Sequence, residues 1–447
     1  MSVRAIRGAA ISFVDDPFLV EPEAALAYRD DALVVIEAGR IVSVEDYDPA
    51  RLPAGMPVDH YPDAIICAGF VDTHVHFPQM EVIGAFGTQL LEWLDRYTFP
   101  AEMKFADEAY SRRVARLFLR ELLRAGTTTA SVFCTVHPQS VEAFFAESER
   151  FNTRMIAGKV LMDRHAPEGL RDTPESGYAE SKALIERWHG RGRQLYAVTP
   201  RFAPTSSDAQ LAAAGRLWRE YPGVHMQTHI AENRDEIAWV EALFPERKSY
   251  LDVYDHAGLT GPRAIFAHAV HFDEDDFCLC HRTGSALAHC PTSNLFLGSG
   301  LFRVFDAKQA ERPVRTGLGT DVGGGTSLSQ LQTLNEAYKV SAMNGTRLTG
   351  LQGFYLATRG GAEALRLEDR IGTLEPGREA DIAVLDLKAT PLVAFRLAAA
   401  RTVHDKLFAL MTIGDDRVVR ATYVAGDKVY DREGFGDGEQ FRYAHRP

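Results

Sequence analysis

The chain has 447 residues, room for one large barrel with additions or for two or three domains, and its 46% hydrophobic and 25% charged residues exclude a fibrous or disordered polypeptide. Acidic residues exceed basic ones by 61 to 49, for a net charge of -12 and a pI of about 5.7, which disfavours nucleic-acid partners, because these need a basic stripe, and suits a small neutral or weakly charged substrate. No apolar run approaches the ~18 to 20 residues that cross a bilayer, so no membrane role is expected.

The first residues, MSVRAIRGAA, lack the apolar stretch of a secretory signal, and the five cysteines (Cys67, Cys134, Cys278, Cys280, Cys290) are scattered and odd in number. A reducing cytoplasm is the expected setting. DALVVIEAGRIVSVED then reads as a β-hairpin turning at Ala38-Gly39. The C-terminal end repeats that style in ADIAVLDL and in VVRATYVAGDKVYDREG, so residues 1–68 and 373–447 are expected to form one small β-sandwich domain.

From AGFVDTHVHF onward, short apolar runs alternate with helical patterns. AEMKFADEAYSRRVARLFLRELLRAG precedes TTTASVFCT, and QLAAAGRLWREYPG precedes VHMQTHIAE, with Gly126 and Gly223 closing the helical stretches. TRMIAGKVLM, RQLYAVTPRF, AIFAHAVHF, SALAHCPTS and RTGLGTDVG continue the series. Eight such runs predict an α/β fold in which residues 69–372 form a (β/α)8 TIM-like barrel, whose active site lies at the C-terminal ends of the strands.

Several of these runs end in a polar residue. His74 and His76 are two apart on one strand and share a face. His229 is followed three residues later by Glu232, FAHAVHF offers His268 after an apolar run, and Asp321 precedes a glycine-rich turn. Histidines and a carboxylate are nitrogen and oxygen donors suited to Zn²⁺ or Fe²⁺, with no thiolate set for a structural site, so a catalytic metal is expected. Cys278-Leu279-Cys280 lacks the C-x-x-C spacing and reads as core or surface cysteine.

Together AGFVDTHVH, HIAE, AHAV, Asp321 and the late run GTLEPGREADIAVLDL resemble the amidohydrolase superfamily over essentially the whole chain. FPQ, LLEWLDRYTFPAEMKF, GKVLMD, TPRFAPTSS and HCPTSNLFLGSG are similar to its guanine deaminase branch. That resemblance implies one Zn²⁺ (or Fe²⁺) per chain on His74, His76, His229 and Asp321, with Glu232 as proton shuttle and His268 beside the metal-bound water or the leaving group. It also implies purine recognition by Gln79, Arg201 and Phe202, with His229, Glu232, His268 and Asp321 facing the substrate as well.

The implied reaction, part of purine turnover, is hydrolytic deamination of guanine at C2 to xanthine and ammonia. Glu232, Asp321 and His268 would move the protons, and a homodimer is the expected assembly. Arg201 fits either a fork of donors to the guanine O6 or an ordinary ion pair, and Phe202 either a stacking platform or core. Residues 80–105 are apolar enough for a lid over a planar base or for a helix packed on the barrel or on another subunit. Lys159 reads as a partner of Asp163 rather than as a carbamylated bridge between two metals. Related enzymes acting on adenosine derivatives, cytosine, pterins or triazines are the alternative, and a metal-free scaffold is the non-enzymatic one.

Overall fold

Eight short runs bury both faces of every strand, which is why they read as continuous apolar stretches instead of alternating ones. In the computed structural model, which describes residues 3–53, 55–87 and 89–444, they are β1 (Phe70–His76), β2 (Thr127–Phe133), β3 (Arg154–Gly158), β4 (Leu195–Pro200), β5 (His225–Ile230), β6 (Ala264–His268), β7 (Ala286–His289) and β8 (Arg315–Leu318). They pair parallel in consecutive order, and Val160–Leu161 adds a short strand on β4. Two backbone bonds draw the first and last strands together just beyond β8: Asp321 N donates to the His74 carbonyl and His76 N to that of Val322, both at 2.9 Å. The expected barrel is therefore present, and three of the candidate ligands sit on its closing seam.

Helices cover the strands because their apolar residues recur at helical spacing. Helix Glu108–Arg124 buries Ser111, Ala115, Phe118, Leu119, Leu122 and Leu123. Phe118 meets Phe77 and Phe144 with ring centroids 6.2 and 6.1 Å apart. Each such large side chain contributes about 1.5–3 kcal/mol by leaving water. Asp107 caps the helix by accepting from Ala109 N and Tyr110 N, and Gly126 leaves it at φ +80°.

The two termini build one seven-stranded mixed sheet, ordered Asp427–Asp431, Val419–Val424, Ile382–Asp386, Val58–Ala68, Arg4–Phe13, Leu26–Glu37, Arg40–Asp46. The first hairpin turns where expected, at Ala38 and Gly39 (φ +53° and +78°), and the C-terminal one turns at Ala425 and Gly426 (φ +44° and +80°). The sheet folds over so that these turns abut: a Cβ on Gly39 would lie 2.9 Å from the Ala425 carbonyl oxygen. Its two halves enclose a core of Ile6, Val34, Ile36, Ile66, Ile382 and Tyr423, which is how a single sheet makes a sandwich.

A buried ionic cluster fastens this sheet to the barrel. Glu379 accepts from Arg154 Nε at 2.8 Å and from Arg193 Nη2 at 2.6 Å, while Asp381 accepts from Arg193 Nη2 at 2.5 Å. Burial alone would raise the Glu379 carboxyl, but Arg154 and Arg193 outweigh it and hold the group at about 2.

Candidate active site

The polar residues that end the strands meet at the C-terminal mouth of the barrel. His76 Nε2 lies 3.2 Å from His74 Nε2 and 3.0 Å from His229 Nε2. Asp321 Oδ1 lies 3.1 Å from His74 Nε2 and 3.4 Å from His76 Nε2. His268 Nε2 stands 3.7 Å from Asp321 Oδ2 and 3.4 Å from Glu232 Oε2. His74, His229, His268 and Asp321 each place one donor atom within 4.8 Å of the others. His268 and Asp321 reach the cluster from backbone at φ +78° and +50°, conformations that non-glycine residues adopt sparingly and that concentrate at functional sites.

These side chains fit a divalent cation. Donors placed about 2.0–2.1 Å from a tetrahedral ion stand roughly 3.3 Å from one another, and the His74, His76, His229 and Asp321 contacts above run from 3.0 to 3.4 Å. The tautomers agree as well. His229 Nδ1 donates to the Arg201 carbonyl at 2.7 Å, so its Nε2 lone pair is left for the cluster. Burial holds the His76 imidazole down at about 3 and pushes His229 well below its ordinary value, keeping both in the neutral form that ligation requires. Burial would raise Asp321, but His74 and His76 hold it well below the usual carboxylate range.

Glu232 is buried beside this group, and burial together with the Asp321 charge pushes its carboxyl up to about 8. Ser299 donates to Glu232 Oε1 at 3.0 Å, and the Glu236 carboxylate accepts from the Glu232 backbone N at 2.9 Å. His268 Nδ1 donates to Asn294 Oδ1 at 2.8 Å, while its buried Nε2 has no hydrogen-bond partner among the described residues. Asp72, fully buried and pushed up to about 7 by that burial, accepts from Thr320 N at 3.0 Å and from His74 N at 3.2 Å, tying β1 to the end of β8.

A pocket opens onto this cluster, lined by Gln79, Arg201, Phe202 and Glu232 together with Leu90, Trp93 and Leu94. Of residues 80–105, Leu90, Trp93 and Leu94 thus form an apolar wall of this pocket. Trp93 and Phe99 are buried and Phe86 is exposed, while Thr88 lies outside the described residues. Phe202 lines the pocket and packs edge-on to Trp239 with centroids 6.4 Å apart. Arg201 makes an ion pair with Glu102, 2.7 Å from Nη1 to Oε2. Glu102, Ser299, Asn294, Glu236 and Asp72 were not legible as site residues in the sequence: buried carboxylates and amides carry no periodic signal, and Glu102, Asn294 and Ser299 arrive only through chain crossings. Lys159 pairs with Asp172 and, at 3.3 Å, with Glu180, not with Asp163, whose carboxylate takes Ser207 N at 2.7 Å. Cys280 is core, and Cys278 is partly exposed.

Residues 65–429 match the amidohydrolase family. The chain belongs to that family. Its amidohydrolase relatives include the guanine deaminase of Escherichia coli (strain K12), 50% identical over 436 residues that cover 96% of this chain and 98% of that one. A solved E. coli guanine deaminase superposes with a TM-score of 0.93 at 50% identity, covering 96% of this chain and 100% of that chain. A guanine deaminase from C. acetobutylicum, solved with guanine in its active site, is 27% identical with a TM-score of 0.85, over 96% of this chain and 100% of that chain. An adenosine deaminase from Xanthomonas campestris with bound zinc is 25% identical with a TM-score of 0.82, over 95% and 92%.

Proposed function

We propose that this amidohydrolase is a guanine deaminase that hydrolyses guanine at C2 to xanthine and ammonia, with one Zn²⁺ per chain on His74, His76, His229 and Asp321. The observation that carries the reading is the meeting of those four side chains, with His76 3.0 to 3.4 Å from each of the other three and His74 3.1 Å from Asp321, beside a pocket that Gln79 and Arg201 also line. The 50% identity to a guanine deaminase supports the substrate, and the nitrogen and oxygen donors support zinc, with Fe²⁺ as the competing ion.

A divalent ion held by His74, His76, His229 and Asp321 would lower the pKa of a water to about 7 and so supply a nucleophile at neutral pH. The remaining work falls to side chains. Asp321 accepts the first proton of the attacking water, and His268 Nε2, unpartnered among the described residues, holds its hydrogen so that the oxygen faces C2. As the C–O bond forms, Glu232 passes a proton to the adjacent ring nitrogen. The proton taken up by Asp321 then goes to the exocyclic nitrogen, which leaves as ammonia with the electrons of the C–N bond, and the C2 hydroxyl returns its proton to Glu232 as the carbonyl of xanthine forms. Ser299 holds Glu232 Oε1 and leaves Oε2 toward His268. The apolar wall of Leu90, Trp93 and Leu94 keeps bulk water from these transfers.

The reading includes two units, residues 1–68 with 373–447 and residues 69–372, supported by a core that draws only on the terminal segments. It also includes a homodimer in a reducing cytoplasm, supported by Leu392 and Phe395, 65% and 80% exposed on helix Pro391–Ala398, and by five cysteines that are all free. Among the described residues no helix is long and apolar enough to cross a membrane. Purified protein mixed with guanine should release ammonia and xanthine in equal amounts, and a chelator should abolish both. Protein holding its metal yet inert toward guanine would end the reading.

A further inference from the structure

Behind the base-recognition side chains stands a carboxylate that the reaction does not use. Glu102 ends the short helix Phe99–Glu102, is 0% exposed and does not line the pocket. Arg201 Nη1 donates to its Oε2 at 2.7 Å and to its Oε1 at 3.0 Å, and Gln79 Nε2 donates to Oε1 at 3.1 Å. Gln79 Oε1 accepts from Gly323 N at 3.1 Å. Arg201 and Gln79, unlike Glu102, do line the pocket.

The chemistry of these contacts removes freedom from both recognition groups. A carboxylate only accepts and a backbone N–H only donates, so the Gln79 amide is held one way round, its NH₂ toward Glu102 and its carbonyl toward Gly323. Arg201 is anchored through one nitrogen of its guanidinium, and the rest of that rigid fork remains for the base. Its positive charge is also cancelled inside the protein, where an unpaired buried cation would be strongly disfavoured. A neutral purine then meets a fixed pattern of donors without bringing a charge of its own.

We propose that Glu102 is a positioning residue that sets base specificity: through Arg201 and Gln79 it makes the pocket select a neutral 2-aminopurine ring bearing a carbonyl oxygen at C6. The proposal rests on the guanine deaminase reading above. Its test compares guanine with 2-aminopurine, which keeps the reacting amine and lacks that oxygen, in the zinc-loaded full chain. In Glu102→Gln the KM for guanine should rise about 10- to 100-fold while kcat stays within about threefold, and the preference for guanine over 2-aminopurine should fall by the same factor, with zinc content unchanged. An unchanged KM and preference overturn the proposal, as does a fall in kcat at constant KM.

Should Glu102→Gln fail to fold, the double variant Glu102→Leu with Arg201→Met, which removes both buried charges at once, decides the matter. It should retain zinc and turn over the two purines with kcat/KM values within about threefold of each other, since both donors that read the oxygen are gone or released. Wild-type discrimination in that variant refutes the proposal. A wild-type chain inert toward guanine is a different outcome and overturns the functional reading itself.

Discussion

His229 Nδ1 donates to the backbone carbonyl of Arg201 at 2.7 Å, so an imidazole of the donor cluster near the end of β5 is tied to the residue just past β4 whose side chain lines the base pocket. Removing the ring should disturb both at once. His229→Ala is expected to lower zinc content by about tenfold or more, and restoring zinc at high concentration should recover only part of the affinity for guanine, because the Arg201 turn has lost its anchor. Metal analysis and KM on the zinc-supplemented variant check this.

Glu232 stands outside the closest donor contacts, with Ser299 on one oxygen and His268 near the other. Glu232→Gln keeps the size and the Ser299 contact but cannot carry protons. It should bind zinc and guanine as the native chain does, with kcat reduced about 10²- to 10⁴-fold. A variant with native turnover would remove Glu232 from the chemistry.

Arg201 offers a planar fork that one ammonium cannot reproduce. Arg201→Lys preserves the charge opposite Glu102 and should raise the KM for guanine about tenfold, with a much smaller change in kcat. Steady-state kinetics separates the two, and an unchanged KM would confine Arg201 to its ion pair with Glu102.

The cluster of Arg154, Arg193 and Glu379 makes a prediction about acid. Glu379 is held at about 2 in the folded chain against an ordinary 4.5. A carboxyl with a lowered folded pKa stabilises fully above its unfolded value, and that contribution, on the order of 3 kcal/mol, is lost as pH falls from about 4.5 towards 2. Glu379→Gln should therefore be several kcal/mol less stable than the native chain at pH 7, and the gap should narrow steadily below pH 4.5. Denaturant unfolding at pH 7, 4 and 3 reads the difference directly. A gap independent of pH would show that Glu379 contributes by packing alone.

The barrel and the ligand set were readable in the chain for one physical reason. A parallel strand buried on both faces tolerates few polar residues, so His74, His76, His229, His268 and Asp321, each at or just past the end of an apolar run, stood out against their surroundings. The hairpin at Ala38-Gly39 was readable too, because a two-residue turn needs positive φ and Gly39 supplies it.

The supports behind those residues had no such contrast. Glu102 ends a short helix, Asn294 lies in the short helix Pro291–Phe296 and Ser299 just beyond it, places where a carboxylate, amide or hydroxyl is unremarkable. Whether Arg201 would face a base, a carboxylate or solvent depended on where residues 80–105 cross the barrel mouth, a contact between positions 99 residues apart. Local sequence governs what is costly within one strand or turn. The partners of a buried charge are settled by which distant segments the fold packs together, so only the tertiary structure decided that Glu102 stands behind Arg201 and Gln79.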